Sequence, residues 1–416
     1  MTSGLQPNAP TTAAPRTFGR YQLFDRVGAG GMAEIYLARA KTELGGARLV
    51  VVKQILPNLS DNEKFADMLI SEAKLAARLN HANVVQVFDL GRHEGVLFIA
   101  MEYIEGFDLN ELLRRCARSS IPLPVDFALL IVMEALRGLS YAHRLSDESG
   151  GPLGIVHRDV SPSNVLISFE GEVKLCDFGI ARANDMADLL SEDVIKGKAS
   201  YMSPEQARGE ALDARADLFA LGIILWELLS GRKLYKVLDG GQQLLDVARR
   251  AEVPPIAPRG LPNEDKLHAI VSKALARDRD DRFGSAQAML RETEDYVAQA
   301  RLVASPIRFG EWLRDNFGEN IIESRRSRER AAKAMEHGPV AILNPYGTPP
   351  PPLAQPQAAS ADRLVKPSPI PPAPVPRISA APSVAPPAPA RLSLALYLAI
   401  GAGLGLVAII VILALR

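Results

Sequence analysis

The sequence predicts an α+β domain over residues 21–297, then an extended spacer and one membrane-spanning helix. Three observations carry this. From Tyr21 to Val297, apolar segments with strand-like alternation or helical spacing are separated by polar breaks, enough for one large or two small packed lobes. From Pro345 to Ala390 the chain holds 16 of its 31 prolines, one acid (Asp362) and three bases (Arg363, Lys366, Arg377), too little apolar surface to fold. From Leu392 to Leu415 runs an uncharged stretch of 24 residues between Arg391 and Arg416.

Composition narrows the classes further. The 416 residues carry 48 Lys+Arg against 48 Asp+Glu, and 47% are hydrophobic, so the chain is not wholly disordered. A net charge of zero lacks the broad positive field needed to grip phosphate backbones, and no nucleic-acid partner is expected. Cys116 and Cys176 form at most one pair, which fits a reducing compartment. The opening MTSGLQPNAPTTAAPRT has no apolar core and is no signal peptide; residues 1–20 are expected to be disordered.

In chain order, Tyr21–Val27 alternates like a strand and leads into Gly28, Gly30 and Gly31, before a second strand-like run through Ala38. A glycine-rich turn between strands lets backbone N–H groups approach phosphates, although many such turns are only turns. Lys53 sits in the β-branched run Leu49–Ile55. Phe65, Met68, Leu69, Leu75, Ala76 and Leu79 then recur at helical spacing, with Glu72 in the middle of their face; an inward carboxylate needs a cationic partner, which Lys53 can supply. Leu218–Leu229, 12 residues containing Glu227, is too short to span a membrane and reads as a core helix. Residues 298–344 read as a helical juxtadomain segment in which Arg325–Lys333 forms a solvated face. The proline-rich spacer could reach roughly 140 Å in polyproline geometry. The terminal run makes a helix of about 36 Å, enough to cross the hydrocarbon core with tilt. More bases precede it than follow, which places the folded part on the cytoplasmic side of the inner membrane. Gly401 and Gly405 form a G-x-x-x-G through which two such helices would pair into a homodimer.

The chemistry concentrates in IVHRDVSPSNVLI followed by VKLCDFGIA. Asn164 lies five residues after Asp159, and Asp177 thirteen after Asn164. Two oxygen ligands converging from neighbouring loops suit Mg²⁺, and a third carboxylate, Asp159, can accept a proton from an attacking hydroxyl. With these motifs in order, residues 21–297 resemble a bacterial membrane-anchored Hanks-type Ser/Thr protein kinase. The resemblance implies a bilobal protein-kinase fold, a small β-rich lobe over a larger helical lobe, with ATP and Mg²⁺ between them. It implies that Val27, Gly28, Ala29, Gly30, Gly31, Met32, Ala33, Glu34 and Ile35 cover the nucleotide, and that Lys53 binds the α and β phosphates and pairs with Glu72. Asp159 would be the catalytic base, with Asn164 and Asp177 holding the metal. Glu102 and Ile104, after the gatekeeper Met101, would offer backbone to adenine, and Asp108 would meet the ribose. Ile35, Val51 and Leu166 would sandwich the base, Glu205 would pair with Arg282, and Asp217 and Gly222 match the family's anchor at the start of a core helix.

The pattern is broken in three places. Ala33 replaces the third loop glycine, Phe219 a tryptophan, and Ser161 the lysine usually two residues after the catalytic aspartate. Lys198 stands where a threonine is usual, so Lys198 is expected to reach back and replace the missing charge. Ser191 is the candidate phosphosite facing Arg158, unless Glu192 and Asp193 supply the negative charge themselves. Cys176 and His157 are read as structural. The expected activity is phosphorylation of Ser/Thr on cytoplasmic proteins, including itself. A pseudokinase or membrane scaffold is the alternative, and a small-molecule kinase is disfavoured by Ser203-Pro204-Glu205 and the long segment before it.

Overall fold

The computed structural model describes residues 16–41, 47–61, 63–178, 199–235 and 241–318. Strands β1 (Arg16–Phe18), β2 (Tyr21–Ala29), β3 (Ala33–Lys41), β4 (Ala47–Ile55), β5 (Val87–His93) and β6 (Val96–Glu102) pair antiparallel in the order β1-β2-β3-β4-β6-β5. Between β4 and β5 come α1 (Pro57–Ser60) and α2 (Glu63–Ala77). Helix α2 buries Phe65, Ala66, Leu69 and Ala73 against Ile55, Leu97 and Ile99 of the sheet, which makes the small lobe's core.

The larger lobe starts at β7 (Gly106–Asp108), α3 (Leu109–Ser119) and α4 (Val125–His143). Strands β8 (Val165–Ser168) and β9 (Val173–Leu175) complete a second antiparallel sheet in the order β7-β8-β9. Then come α5 (Pro204–Ala207), α6 (Arg215–Ser230), α7 (Gly241–Arg250), α8 (Glu264–Ala274), α9 (Ala286–Ala300) and α10 (Pro306–Phe317). Helix α6 is apolar on all sides and buried almost throughout, as read for Leu218–Leu229, and Gly231 ends it with φ 68°. A Cβ on Gly222 would stand 3.0 Å from that of Ala274, so this glycine sets the approach of α6 to α8.

Four expectations change. The disordered N-terminus of residues 1–20 is too long, because Arg16–Phe18 pairs with β2 and Phe18 packs edge-on against His93 and Phe98 at 4.7 and 5.4 Å. The domain edge at 297 is too early: α9 runs to Ala300, and Phe309, Leu313 and Phe317 of α10 belong to the large-lobe core, so this stretch of the juxtadomain segment is part of the fold. Leu75 is exposed, one position off the buried stripe of α2. The neighbourhood of Gly28 is strand, not turn: β2 extends through Ala29, with Gly28 opposite Ile35.

Among the described residues no helix is long and apolar enough to cross a membrane. The proline-rich spacer, the run 392–415, Gly401 and Gly405, Arg325–Lys333, and the segment with Ser191, Glu192, Asp193 and Lys198 lie outside the described residues.

Candidate active site

The roof of the cleft is the β2–β3 hairpin. Its turn is closed by the Gly30 amide donating to the Ala33 carbonyl at 2.9 Å. A Cβ on Gly30 would meet nothing within 4 Å, so no packing demand explains this glycine, whereas close approach of a ligand would. The expected nucleotide residues divide here. Val27 stands exposed, while Ala33 is buried in the small-lobe core and Met32 packs against it. The Met32 carbonyl also accepts from the Leu56 amide at 3.0 Å. The Glu34 carboxylate is held by the Tyr36 hydroxyl and Arg26, each at 2.7 Å, which keep it below its usual range. Glu34 can therefore serve a nucleotide only through its backbone.

Beneath the hairpin, Lys53 lies opposite Ile35 in the β3–β4 register and donates to Asp177 Oδ1 at 2.8 Å. Burial works against the Lys53 ammonium, but the Asp177 carboxylate outweighs it and the lysine stays charged, raised above its ordinary value. Glu72 is placed on α2, and its side chain, with the expected Lys53–Glu72 pairing, lies outside the described residues. Asp177 itself adopts φ 58°, as does Arg158 at φ 64°, two left-handed non-glycine residues within one site.

The loop carrying Asp159 hangs from α6. Buried Asp217 accepts from the amides of His157 and Arg158, each at 2.8 Å, and lies 2.8 Å from His143 Nε2. His157 is fully buried, bridges to the Cys176 carbonyl at 3.0 Å and packs on Phe178, which bears out its structural reading. Asn164 Nδ2 donates to the Asp159 carbonyl at 2.7 Å, and the Cys176 amide donates to the Asn164 carbonyl at 3.0 Å. Asp159, Asn164 and Asp177 are thus brought to one place by backbone bonds between the two loops. The Asn164 Oδ1 has no partner among the described residues, and there no cluster of three or more His, Cys, Asp and Glu could hold a metal alone. A hard cation would take Asn164 Oδ1, Asp177 and oxygens of a bound phosphate, a donor set that fits Mg²⁺. Burial first, and Asp177 second, push the Cys176 thiol well up, so it packs rather than reacts. Ser161 is buried and shares a 3.0 Å hydrogen bond with Ser163.

The floor and hinge are apolar with a polar edge. Val51, Met101, Ile104, Leu166 and Cys176 join one cluster, with Val51 opposite Met101. Glu102 is fixed by its amide to the Gln86 carbonyl at 2.8 Å and by its carboxylate to Lys174 at 2.9 Å, a pairing the sequence did not announce because 72 residues separate the two. Asp108, expected at the ribose, accepts from the Glu111 amide at 2.7 Å and caps α3; burial raises its pKa and that bond opposes the rise. The loop after α2 was also missed: Asn83 donates to Glu134 at 2.7 Å and to the Val173 carbonyl at 2.9 Å, and so fastens the small lobe to the large one. Past the cleft, Glu205 and Arg282 form the expected pair, two bonds of 2.8 Å. Ser203 caps α5, and the Tyr201 hydroxyl donates to Glu227 at 2.8 Å, so both hydroxyls are committed to structure. Arg158 Nε is buried without a hydrogen-bond partner among the described residues.

Residues 21–293 match the protein kinase domain model. The tyrosine-protein kinase MasK of Myxococcus xanthus is 39% identical over 310 residues, covering 74% of this chain and 48% of that protein. The Ser/Thr kinases PknB of Mycobacterium leprae and PrkC of Bacillus subtilis are 37% and 34% identical over 67% and 66% of this chain. The chain spans less than half the length of each of these three, at 48%, 43% and 40%. The kinase domain of Mycobacterium tuberculosis PknI superposes with a TM-score of 0.51 at 29% identity, over 68% of this chain and 98% of that one. With a lysine–aspartate pair, an asparagine locked to the Asp159 loop and an aspartate-hung catalytic loop in one cleft, the chain belongs to the protein kinase family.

Proposed function

We propose that this chain, anchored in the membrane, transfers the γ-phosphate of ATP to serine or threonine hydroxyls of cytoplasmic proteins, itself included. The observation that carries the reading is the convergence of Lys53, Asp177, Asn164 and Asp159 on one cleft through the 2.8 Å and 2.7 Å bonds described above. In this reading Lys53 holds the α and β phosphates and Asp159 orients the attacking hydroxyl and takes its proton. Bound Mg²⁺ would neutralise charge on the phosphates, held by Asn164 and Asp177. Ser/Thr is favoured by the PknB and PrkC relatives. Tyrosine is the second reading, favoured by the MasK relative and by Ser161 in the lysine's place.

The test is labelling of the full chain by γ-labelled ATP with Mg²⁺ beside its Asp159→Ala variant, followed by phosphoamino-acid analysis. Label lost in the variant, with phosphoserine or phosphothreonine recovered, supports the reading; phosphotyrosine transfers it to the second one. Unlabelled chains that still bind ATP would bring the scaffold forward. Lys198 belongs to the same proposal: if Lys198→Ala keeps full turnover, the exchanged charge plays no part.

The tether rests on the 24-residue uncharged run, and the homodimer on Gly401 and Gly405. Val407→Asp with Ile410→Asp should move the chain from the membrane to the soluble fraction, and Gly401→Leu with Gly405→Leu should lower self-association in membranes.

A further inference from the structure

The family match stops at residue 293, yet the helix that follows it, α10, grips the floor of the cleft. It approaches the β8–β9 turn so closely that neither side has room for a side chain. A Cβ on Gly171 would stand 1.8 Å from the Pro306 carbonyl oxygen, and one on Gly310 would stand 2.7 Å from the Glu170 carbonyl carbon. Gly171 also holds φ 83°, which a larger residue resists. Arg314 Nη1 donates to the Phe169 carbonyl at 2.7 Å and to the Glu170 carboxylate at 2.9 Å. Phe317 packs edge-on against Phe107 at 6.3 Å, and Phe309 lies 4.9 Å from Phe127.

The gripped turn is continuous with the hinge side of the cleft. The Phe169 amide donates to the Glu105 carbonyl at 2.9 Å, one residue beyond Ile104. Strand β8 carries Leu166 of the floor, opposite Asp108, and Phe107 immediately precedes Asp108. Helix α10 is therefore linked to three of the groups expected to meet adenine and ribose: to Asp108 through Phe107, to Ile104 through Phe169 and Glu105, and to Leu166 along β8 from Phe169.

We propose that α10 is a strap that positions the nucleotide floor, with Arg314 as its positioning residue. Its docking holds Phe169–Gly171 and Phe107 in the register that Leu166, Ile104 and Asp108 need, and so raises affinity for ATP while leaving the chemical step alone. This rests on the reading of the cleft as an ATP site.

The experiment uses the full chain, with a fluorescent ATP analogue for Kd and steady-state transfer for KM and kcat. Wild type is read first. Arg314→Ala should then weaken nucleotide binding about fivefold with kcat little changed. Arg314→Lys should recover most of the loss, and Gly310→Ala, which forces the helix off the turn, should weaken binding further. Thr293→Val, which removes a buried hydroxyl bonded to the Met289 carbonyl, is the stability control: it should lower the unfolding midpoint and leave Kd unchanged. Wild-type Kd in both Arg314→Ala and Gly310→Ala overturns the strap, as does an equal loss of binding in Thr293→Val, which would mark a general effect of stability. A wild-type chain that binds no nucleotide overturns the ATP reading itself, and the strap with it.

Discussion

Two ion pairs of the same length hold different regions of this molecule. Glu205–Arg282 and Lys53–Asp177 both close at 2.8 Å, but the Arg282 and Glu205 side chains are 0% and 3% exposed against 14% and 28% for Lys53 and Asp177. Around Arg282 every spare donor is used: Nε donates to the Ala276 carbonyl, and the two terminal nitrogens reach the carbonyls of Arg215 and Arg277. Its guanidinium also lies 4.7 Å from the Phe219 ring, so the residue standing where a tryptophan is usual still packs on the pair. The cleft pair instead joins the two lobes through a residue in a left-handed conformation, next to a glycine-turned roof with open space above it. A sealed, saturated pair is a structural joint. An accessible, strained one is built to receive something.

Breaking each pair should separate these roles. Glu205→Ala leaves Arg282 charged, buried and unpaired, and should cost about 3–5 kcal/mol of stability, read as the shift in denaturant midpoint. Asp177→Ala should lower phosphate transfer by about 10²–10³-fold while the same midpoint moves little, because water reaches its site. Equal destabilisation by the two variants would erase the distinction.

Acid should affect the sealed pair in a defined direction. Burial raises the Glu205 carboxyl, but the hydrogen bonds from Arg282 outweigh it and hold the folded pKa below the ordinary 4.5. A depressed folded value means that the pair stabilises above the unfolded pKa and loses that contribution as pH falls through the folded one. Unfolding free energy should therefore decline from about pH 4.5 downward, and Glu205→Gln should flatten that part of the curve. The smallest effect is expected at Asp108, where capping and the expected ribose contact coincide. Asp108→Ala should cost about 1 kcal/mol through the lost cap, whereas Asp108→Asn keeps the cap and isolates any change in ATP KM.

How legible these regions were follows from how far apart their parts lie. The block from His157 to Asp177 was readable because Asp159, Asn164 and Asp177 are close in sequence and the loops between β-type runs are short. The strand of Lys53, the helix of Glu72 and the buried helix α6 follow from period alone. Helix α10 was legible as a helix but not as part of the core, since its apolar side covers Phe127 and Phe107, which lie 182 and 210 residues upstream of Phe309 and Phe317. The dual position of Asp108 at a cap, the commitment of Glu34 to Arg26 and Tyr36, and the inward turn of Met32 and Ala33 were equally hidden, because side-chain partners depend on neighbours that only packing supplies.

The sequence by itself determined the order of elements, the family resemblance and the residues gathered at the Asp159 loop, since periodicity and short spacings are local properties that survive without a fold. Tertiary structure decided which of those residues face the cleft and where the domain ends. It also decided which of two equal ion pairs is sealed, because burial and the saturation of hydrogen bonds arise only when distant segments exclude water from one another.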